Sequence, residues 1–307
     1  MSGAAAMAAI RPGALEGVVR GRASYGEPLS RHTSLRIGGP ADALVVPADL
    51  EDLRALLRFA HREGIPTLVL GGGSNTVVRD GGFRGIAIVL GEAFTALEAQ
   101  GTTVRAGAAV RVSRLVAFAC RGGLAGVECL TGIPGTLGGA LRGNAGTQAG
   151  SVGDRVLEAA VVLADGTPAH LPKGALGFAY RHAAFPPGAV IIEATFALEP
   201  GDPAAIRRAV SKLLVARNRT QPVESRSAGC MFKNPTGDSA GRLVDAAGLK
   251  GMRVGDAVVS PVHANFFINQ GRARAADVLA LVAAVRARVR DHAGVELELE
   301  VHVVGES

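Results

Sequence analysis

In the stretch Leu68–Asp80, LVLGGGSNTVVRD, a short apolar run, Thr67–Leu70, reads as a buried strand that ends on three consecutive glycines. Ser74 and Asn75 follow, and then a second apolar pair, Val77 and Val78. Glycine tolerates positive φ and lets a backbone come close to a ligand. Successive exposed N–H groups form a nest that suits a phosphate or pyrophosphate. A tight strand-to-strand turn that needs glycine accounts for the same residues equally well. The choice between them rests on the rest of the chain.

Outward from that stretch, Asp49 caps a helix whose Leu50, Leu53, Leu57 and Ala60 share a face, and Gly64 stops it. HTSLRIGGPADALVVP reads as two short strands about a Gly38-Gly39-Pro40 turn. Ile86–Leu90 and Thr102–Ala106 read as strands, and Val112–Arg121 as a helix with Val112, Leu115, Val116 and Ala119 inward. Cys120, beside that apolar face, reads as core. A second glycine-rich stretch, GVECLTGIPGTLGGALRGNAG (Gly126–Gly146), lies about 60 residues after the first. Neither stretch has the spacing of a dinucleotide fingerprint or a P-loop. Two such loops invite ligand contact through the backbone more strongly than one.

Val156–Leu163 and Val190–Leu198 read as strands, with an Asp165-Gly166 turn after the first. The breaker cluster Glu199-Pro200-Gly201 marks an expected domain boundary. Beyond it Asp202 and Pro203 open a helix with Ile206, Val210, Leu213 and Leu214 on one face. A helix is expected from Ser239 and a long one over Ala276–His292. In the last segment, GVELELEVHVVG, Val295, Leu297, Leu299, Val301 and Val303 alternate with Glu296, Glu298, Glu300 and His302. The order of strands and helices indicates an α+β chain with a disordered extension over 1–25 and domains over 26–200 and 201–307.

The 307 residues suit two domains at about 150 residues each. No apolar run approaches the roughly 18 residues that span a bilayer, which argues against membrane insertion. The start, MSGAAAMAAIRPGALEG, lacks a basic segment ahead of an apolar one and does not read as a signal peptide. Three cysteines with no CxxC spacing suit a reducing cytoplasm and argue against a disulfide framework or structural zinc. The net charge of +6 is scattered, and aromatics make up only 4% of the chain, so nucleic acid is not the expected partner. The densest basic stretch, Arg217, Arg219, Arg226 and Lys233, has only Glu224 against it and suits a small anion.

GGGSN, GIPGTLGG, YR, GCMFKNP, HANFFIN and LELEV occur in that order from about Arg31 to Gly305. As an ordered set they resemble the UDP-N-acetylenolpyruvoylglucosamine reductase (UDP-N-acetylmuramate dehydrogenase) family, in its shorter subclass without an inserted tyrosine loop. The resemblance implies an FAD-binding domain of the vanillyl-alcohol-oxidase type and a smaller C-terminal α+β substrate domain. It implies a cytoplasmic NADP-dependent flavoprotein oxidoreductase of peptidoglycan precursor synthesis, and so of cell-wall biogenesis, cell shape and division. The implied reaction is NADPH-dependent, FAD-mediated reduction of UDP-N-acetylglucosamine enolpyruvate to UDP-N-acetylmuramate, and a monomer is expected.

The same resemblance distributes the roles. Gly71, Gly72, Gly73, Ser74 and Asn75 would cradle the pyrophosphate of noncovalent FAD. Thr131, Gly132, Ile133, Pro134, Gly135, Thr136, Gly138, Gly139 and Asn144 would approach the flavin and its phosphates. Arg181 would steady the enolate and carboxylate, Glu300 falls on the family's C-terminal carboxylic acid, and Cys230 stands where the family usually has a serine proton donor. Alternation alone does not separate Glu300 from Glu296 or Glu298. A lone cysteine reads more often as a buried small hydrophobe, while a glycine-preceded loop beside Lys233 also suits an exposed Cys230 with a lowered pKa. Tyr180, Arg217, Lys233, Asn234 and His263 fall on or beside substrate-contacting positions. Ala183 and Thr147-Gln148 depart from the family pattern. The alternative is an FAD-dependent oxidase of the same fold class acting on an alcohol or sugar. No histidine lies between His61 and His170 to tether a flavin covalently near the first loop.

Overall fold

The computed structural model describes residues 10–307. Asp49 sits in extended backbone and its carboxylate accepts from the Asp52 N–H, which starts the helix Leu50–Arg62 where the sequence asks for it. Leu53, Leu56, Leu57 and Ala60 of this helix are buried against Ala43, Val45, Ile86 and Ile88. Those four residues come from a sheet ordered Arg22–Pro28, Pro40–Val46, Phe83–Ile88, Thr67–Val69. Its first pair is antiparallel and the others are parallel. Thr67–Val69 is an edge strand with Val69 40% exposed, so the expectation of a buried strand fails at that residue. Of the expected strands about Gly38-Gly39, only Pro40–Val46 forms; residues 32–37 bend and turn without forming a strand.

A second, antiparallel sheet runs Pro168–Pro172, Val156–Val162, Val190–Ala197, Thr103–Gly107, Leu97–Gln100. The helices Val112–Arg121 and Leu137–Arg142 bury Leu115, Val116, Leu137 and Leu141 in its core. Val162 and Val190 of this sheet reach the core under helix Leu50–Arg62, so the two sheets share one folded body.

The expected disorder over 1–25 is corrected for the part described; residues 1–9 lie outside the described residues. Leu15 is 2% exposed in the core of helix Leu50–Arg62, and the first strand begins at Arg22. Buried Asp52 fixes this segment by accepting from the N–H groups of Arg20, Gly21 and Ala48 at 2.7, 2.8 and 2.8 Å.

The boundary expected at 200 also moves. The helix Pro203–Thr220 packs on helix Val112–Arg121 and on Leu124–Ala125, with Val210 against the first body's core. Glu199–Pro200 pairs with Leu124–Ala125. The breaker cluster turns the chain without ending the domain. Of the face read from periodicity only Ile206 is buried, and Leu214 is 43% exposed.

The second body is an antiparallel sheet ordered Ser227–Cys230, Phe266–Asn269, Ala257–Val259, Arg253–Val254 under the helices Ala240–Ala246 and Ala275–Ala293. Phe232 and Phe267 meet edge to face in its core at 5.8 Å. The alternating terminal segment keeps Leu297 and Val301 buried and Glu296 and Glu298 exposed. Regular strand geometry is confined to His302–Val304, which pairs in parallel with Thr76–Val78 of the first body. Leu35, Ile37 and Val77 from the first body complete the second body's core.

Asp80 crosses the same junction. Its two carboxylate oxygens accept from the Ala275 and Ala276 N–H groups, both at 2.9 Å, at the start of helix Ala275–Ala293. Asp80→Ala is expected to lower unfolding stability by about 1 kcal/mol, the usual worth of an N-terminal cap, with Asp80→Asn losing less. Urea unfolding followed by circular dichroism measures it; an unchanged midpoint contradicts the capping role.

Candidate active site

The two glycine-rich loops meet. A Cβ on Gly72 would come within 2.5 Å of Gly135 Cα, and one on Gly71 within 2.4 Å of Thr136 Oγ1. Ser74 Oγ donates to the Pro134 carbonyl at 3.3 Å. Gly73 has φ +60, and a Cβ there would lie 2.1 Å from the His32 carbonyl oxygen, so only glycine fits. Among the described residues, no backbone N–H from Gly71 to Asn75 donates to a protein acceptor. The Thr131 hydroxyl is buried with no partner. A run of free N–H groups beside an orphaned hydroxyl fits an anionic group with further polar edges, as FAD has.

The side chains of the same stretches do other work. Asn75 Nδ2 donates to the Glu300 carbonyl at 3.2 Å, and the Asn75 carbonyl accepts from the His302 N–H at 3.0 Å. Asn144 was expected at the cofactor, but both ends of its amide are spent on backbone: Nδ2 donates to Ala179 O at 2.9 Å and Oδ1 accepts from Gly153 N–H at 3.0 Å. The Ser34 hydroxyl lies 2.6 Å from the Ser227 carbonyl and 3.1 Å from that of Gly73, joining the first loop to the strand that ends on Cys230. Sequence reasoning passed over Ser34; its one signal is the HTSLRIGG turn cluster.

Arg181, Cys230 and Glu300 do come together. The Glu300 N–H donates to Met231 O at 2.9 Å, and Lys233 N–H to Glu298 O at 2.8 Å, which sets residue 300 beside the Cys230 strand. Arg181 Nε lies 2.7 Å from Glu300 Oε1. The N–H does not aim at that oxygen, so Nε is left without a hydrogen-bond acceptor and the contact is coulombic. The Glu300 side chain is 14% exposed, where that of Glu298 is 73% exposed, and this burial separates the two. Burial pushes the Glu300 carboxyl up, and the Arg181 guanidinium pulls it back down. The Cys230 thiol is pushed up to about 12, first by burial and then by the Glu300 charge, against the pull of Arg181 and Arg217. The expected lowering of the Cys230 pKa is therefore corrected: it is a half-buried, protonated thiol at the end of a strand, with burial and then the Glu300 carboxylate raising its pKa.

Arg217 lies against the second loop, its Nη1 donating to Thr131 O at 3.3 Å and its Cδ 2.6 Å from where a Gly132 Cβ would stand. Tyr180 is 58% exposed, and its hydroxyl accepts the Asn234 N–H at 3.1 Å. Asn234 Oδ1 accepts from Ala240 N–H, and Lys233 Nζ pairs with Glu298 at 2.5 Å. His263 stays with the second body: its ring meets Phe266 edge-on at 5.0 Å, its Nδ1 accepts from Asn265 N–H, and burial holds its pKa down.

Comparison with known proteins decides the kinship. The family profile described as "UDP-N-acetylenolpyruvoylglucosamine reductase, C-terminal domain" matches residues 221–304, and the one described as "FAD binding domain" matches residues 41–171. The UDP-N-acetylenolpyruvoylglucosamine reductase of Anaeromyxobacter dehalogenans is 48% identical over 94% of this chain and 87% of its own. This chain belongs to that reductase family. The enzyme of the same name from Geobacter sulfurreducens is 46% identical over 95% of this chain and 97% of its own. The crystal structure of UDP-N-acetylenolpyruvylglucosamine reductase from Thermus caldophilus superposes with a TM-score of 0.81 at 39% identity, covering 93% of this chain and 99% of that one. The expected α+β fold holds in its coarser form, an FAD-binding domain joined to a smaller reductase C-terminal domain. The reductase match begins at 221, immediately after the helix Pro203–Thr220. No helix of the described residues is long and apolar enough to cross a membrane.

The state of the thiol gives a direct check. With a pKa near 12 in place of the ordinary 9, Cys230 carries far less thiolate at pH 8. Iodoacetamide labelling followed by peptide mass spectrometry is expected to modify it at least ~100-fold more slowly than a cysteine in a short peptide. Labelling at the peptide rate contradicts the protonated, shielded thiol.

Proposed function

We propose that this chain reduces UDP-N-acetylglucosamine enolpyruvate to UDP-N-acetylmuramate at the expense of NADPH, with Cys230 as the proton donor. The observation that carries this reading is the convergence of Arg181, Glu300 and a protonated Cys230 beside two abutting glycine loops with unspent donors. FAD, when bound, supplies the redox relay between NADPH and the enolpyruvyl double bond. Gly71–Asn75 would hold its pyrophosphate through backbone N–H groups, and Thr131–Gly139 would line its other side.

The chain's own residues handle charge and protons. Reduction of the enolpyruvyl double bond places negative charge on the carbon next to the substrate carboxylate. The Arg181 guanidinium, planar and permanently charged, balances the carboxylate and that developing charge. Cys230 keeps its proton through the working pH range and gives it to that carbon. A thiol is a much stronger acid than the serine hydroxyl usual at this position, so donation survives the replacement. Glu300 opposes Cys230 ionisation in the resting site and is itself held by Arg181. Arg217, Lys233, Asn234 and Tyr180 would meet the nucleotide diphosphate and the enolpyruvyl group. Lys233 must first leave Glu298, an exposed partner whose loss costs about 1 kcal/mol or less. His263 would act from behind, through Asn265.

Stopped-flow absorbance of the flavin separates the two half-reactions. NADPH is expected to bleach it and the enolpyruvyl substrate to restore it. Cys230→Ala is expected to slow restoration by about 10²–10⁴-fold, the usual worth of a positioned proton donor, while bleaching proceeds. Cys230→Ser is expected to stay active. Full restoration by the alanine variant contradicts the donor role, and bleaching by an alcohol or sugar in place of NADPH contradicts the reductase.

A further inference from the structure

We propose that Asn144 is a positioning residue for Arg181, acting through the backbone of the turn that carries it; the proposal rests on the reductase reading above. Arg181 stands at the tip of a two-residue reverse turn. Ala179 N–H donates to His182 O at 3.0 Å and His182 N–H to Ala179 O at 3.1 Å, with Tyr180 and Arg181 between them. Arg181 has φ +55, in the left-handed region that a non-glycine residue occupies only when its surroundings impose it. One hold on this turn comes from outside it. Asn144 Nδ2 supplies a second donor to the same Ala179 carbonyl, so one oxygen receives both the turn's own bond and the bond from outside.

The other end of the amide is equally constrained. Asn144 is 7% exposed, has φ +40, and takes the Gly153 N–H on Oδ1. Gly153 must be glycine for this approach, because a Cβ there would lie 2.8 Å from Oδ1 and 2.5 Å from Phe178 Cγ. Ala179 O needs a donor and Gly153 N–H an acceptor, so flipping the amide would spoil both bonds. A buried side chain saturated in this way is a fixed post. The guanidinium itself has a 3.3 Å contact from Nη1 to Gly146 O, a misaligned 2.7 Å contact to Glu300 and the Tyr180 ring 5.5 Å from its Cζ. Its neighbour Tyr180 is largely in solvent. The guanidinium direction therefore depends on the turn, and the turn on Asn144.

Arg181 acts on the enolpyruvyl half of the reaction, so disturbing its placement should divide the half-reactions. Asn144→Asp keeps the shape and the acceptor for Gly153 but cannot donate to Ala179 O; Asn144→Ser is the second variant. Both flavin half-reactions are timed by stopped flow on the FAD-loaded variants. The rate of flavin reoxidation by the enolpyruvyl substrate, divided by the rate of reduction by NADPH, is expected to fall at least tenfold, with the loss in kcat. In an Arg181→Lys background, adding Asn144→Asp should change that ratio by less than threefold. Equal loss in both half-reactions, or effects that multiply in the double variant, overturns the proposal. Hydrogen exchange supplies an arm that needs no turnover: Asn144→Asp should speed exchange of the 179–182 backbone at least tenfold, and unchanged exchange there overturns the proposal as well. A wild-type protein that fails to reduce the enolpyruvyl substrate refutes the reductase reading instead, and the exchange result still decides the role of Asn144.

Discussion

The clasp between Asn75 and the last strand of the chain is the contact on which the site depends. Asn75 accepts from the His302 N–H through its carbonyl and donates to the Glu300 carbonyl through its amide, and the parallel pairing of Thr76–Val78 with His302–Val304 continues the join. The residue that ends the first glycine loop thus fixes the only buried carboxylate of the alternating tail. Parallel pairing between segments more than 200 residues apart closes a long loop, and the entropy of that closure must be offset by what it brings together. Here it brings Val77 into the second body's core, Asp80 onto a helix start, and Glu300 beside Arg181.

Charge placement follows from that closure. Glu300 is buried enough to favour protonation and close enough to Arg181 to resist it. Burial first, and then the negative charge of Glu300, hold the proton on Cys230 against the pull of Arg181 and Arg217. Cys230 and Glu300 are coupled, and the Arg181 charge acts on both. Burial and the carboxylate together keep the thiol from ionising, the condition that the proposed donor role of Cys230 requires.

Local signals were legible in the sequence because they are settled within a few residues. The Asp49 cap, the helix Val112–Arg121 and the inward face of the terminal segment all follow from spacing alone. The glycine loops were legible as loops, and their ordered company of motifs identified the family. What spacing did not reveal depends on distant partners. Asn75 and Asn144 sit inside phosphate-loop motifs yet turn their amides to backbone 225 and 35 residues away. The helix Pro203–Thr220 follows a strong breaker cluster yet packs backward through Ile206 and Val210, leaving Leu214 and Val215 exposed. The direction of the Cys230 shift comes from burial and from Glu300, 70 positions on, neither of which the neighbouring residues reveal.

The most direct measurement is the configuration and isotope content of the product carbon that bears the carboxylate, after turnover with NADPH in D2O. Protonation by a fixed group on one face predicts a single configuration with one solvent-derived deuterium on that carbon, read by NMR and mass spectrometry. A product of mixed configuration, or one carrying ordinary hydrogen there, would contradict proton delivery from a site built of Arg181, Cys230 and Glu300.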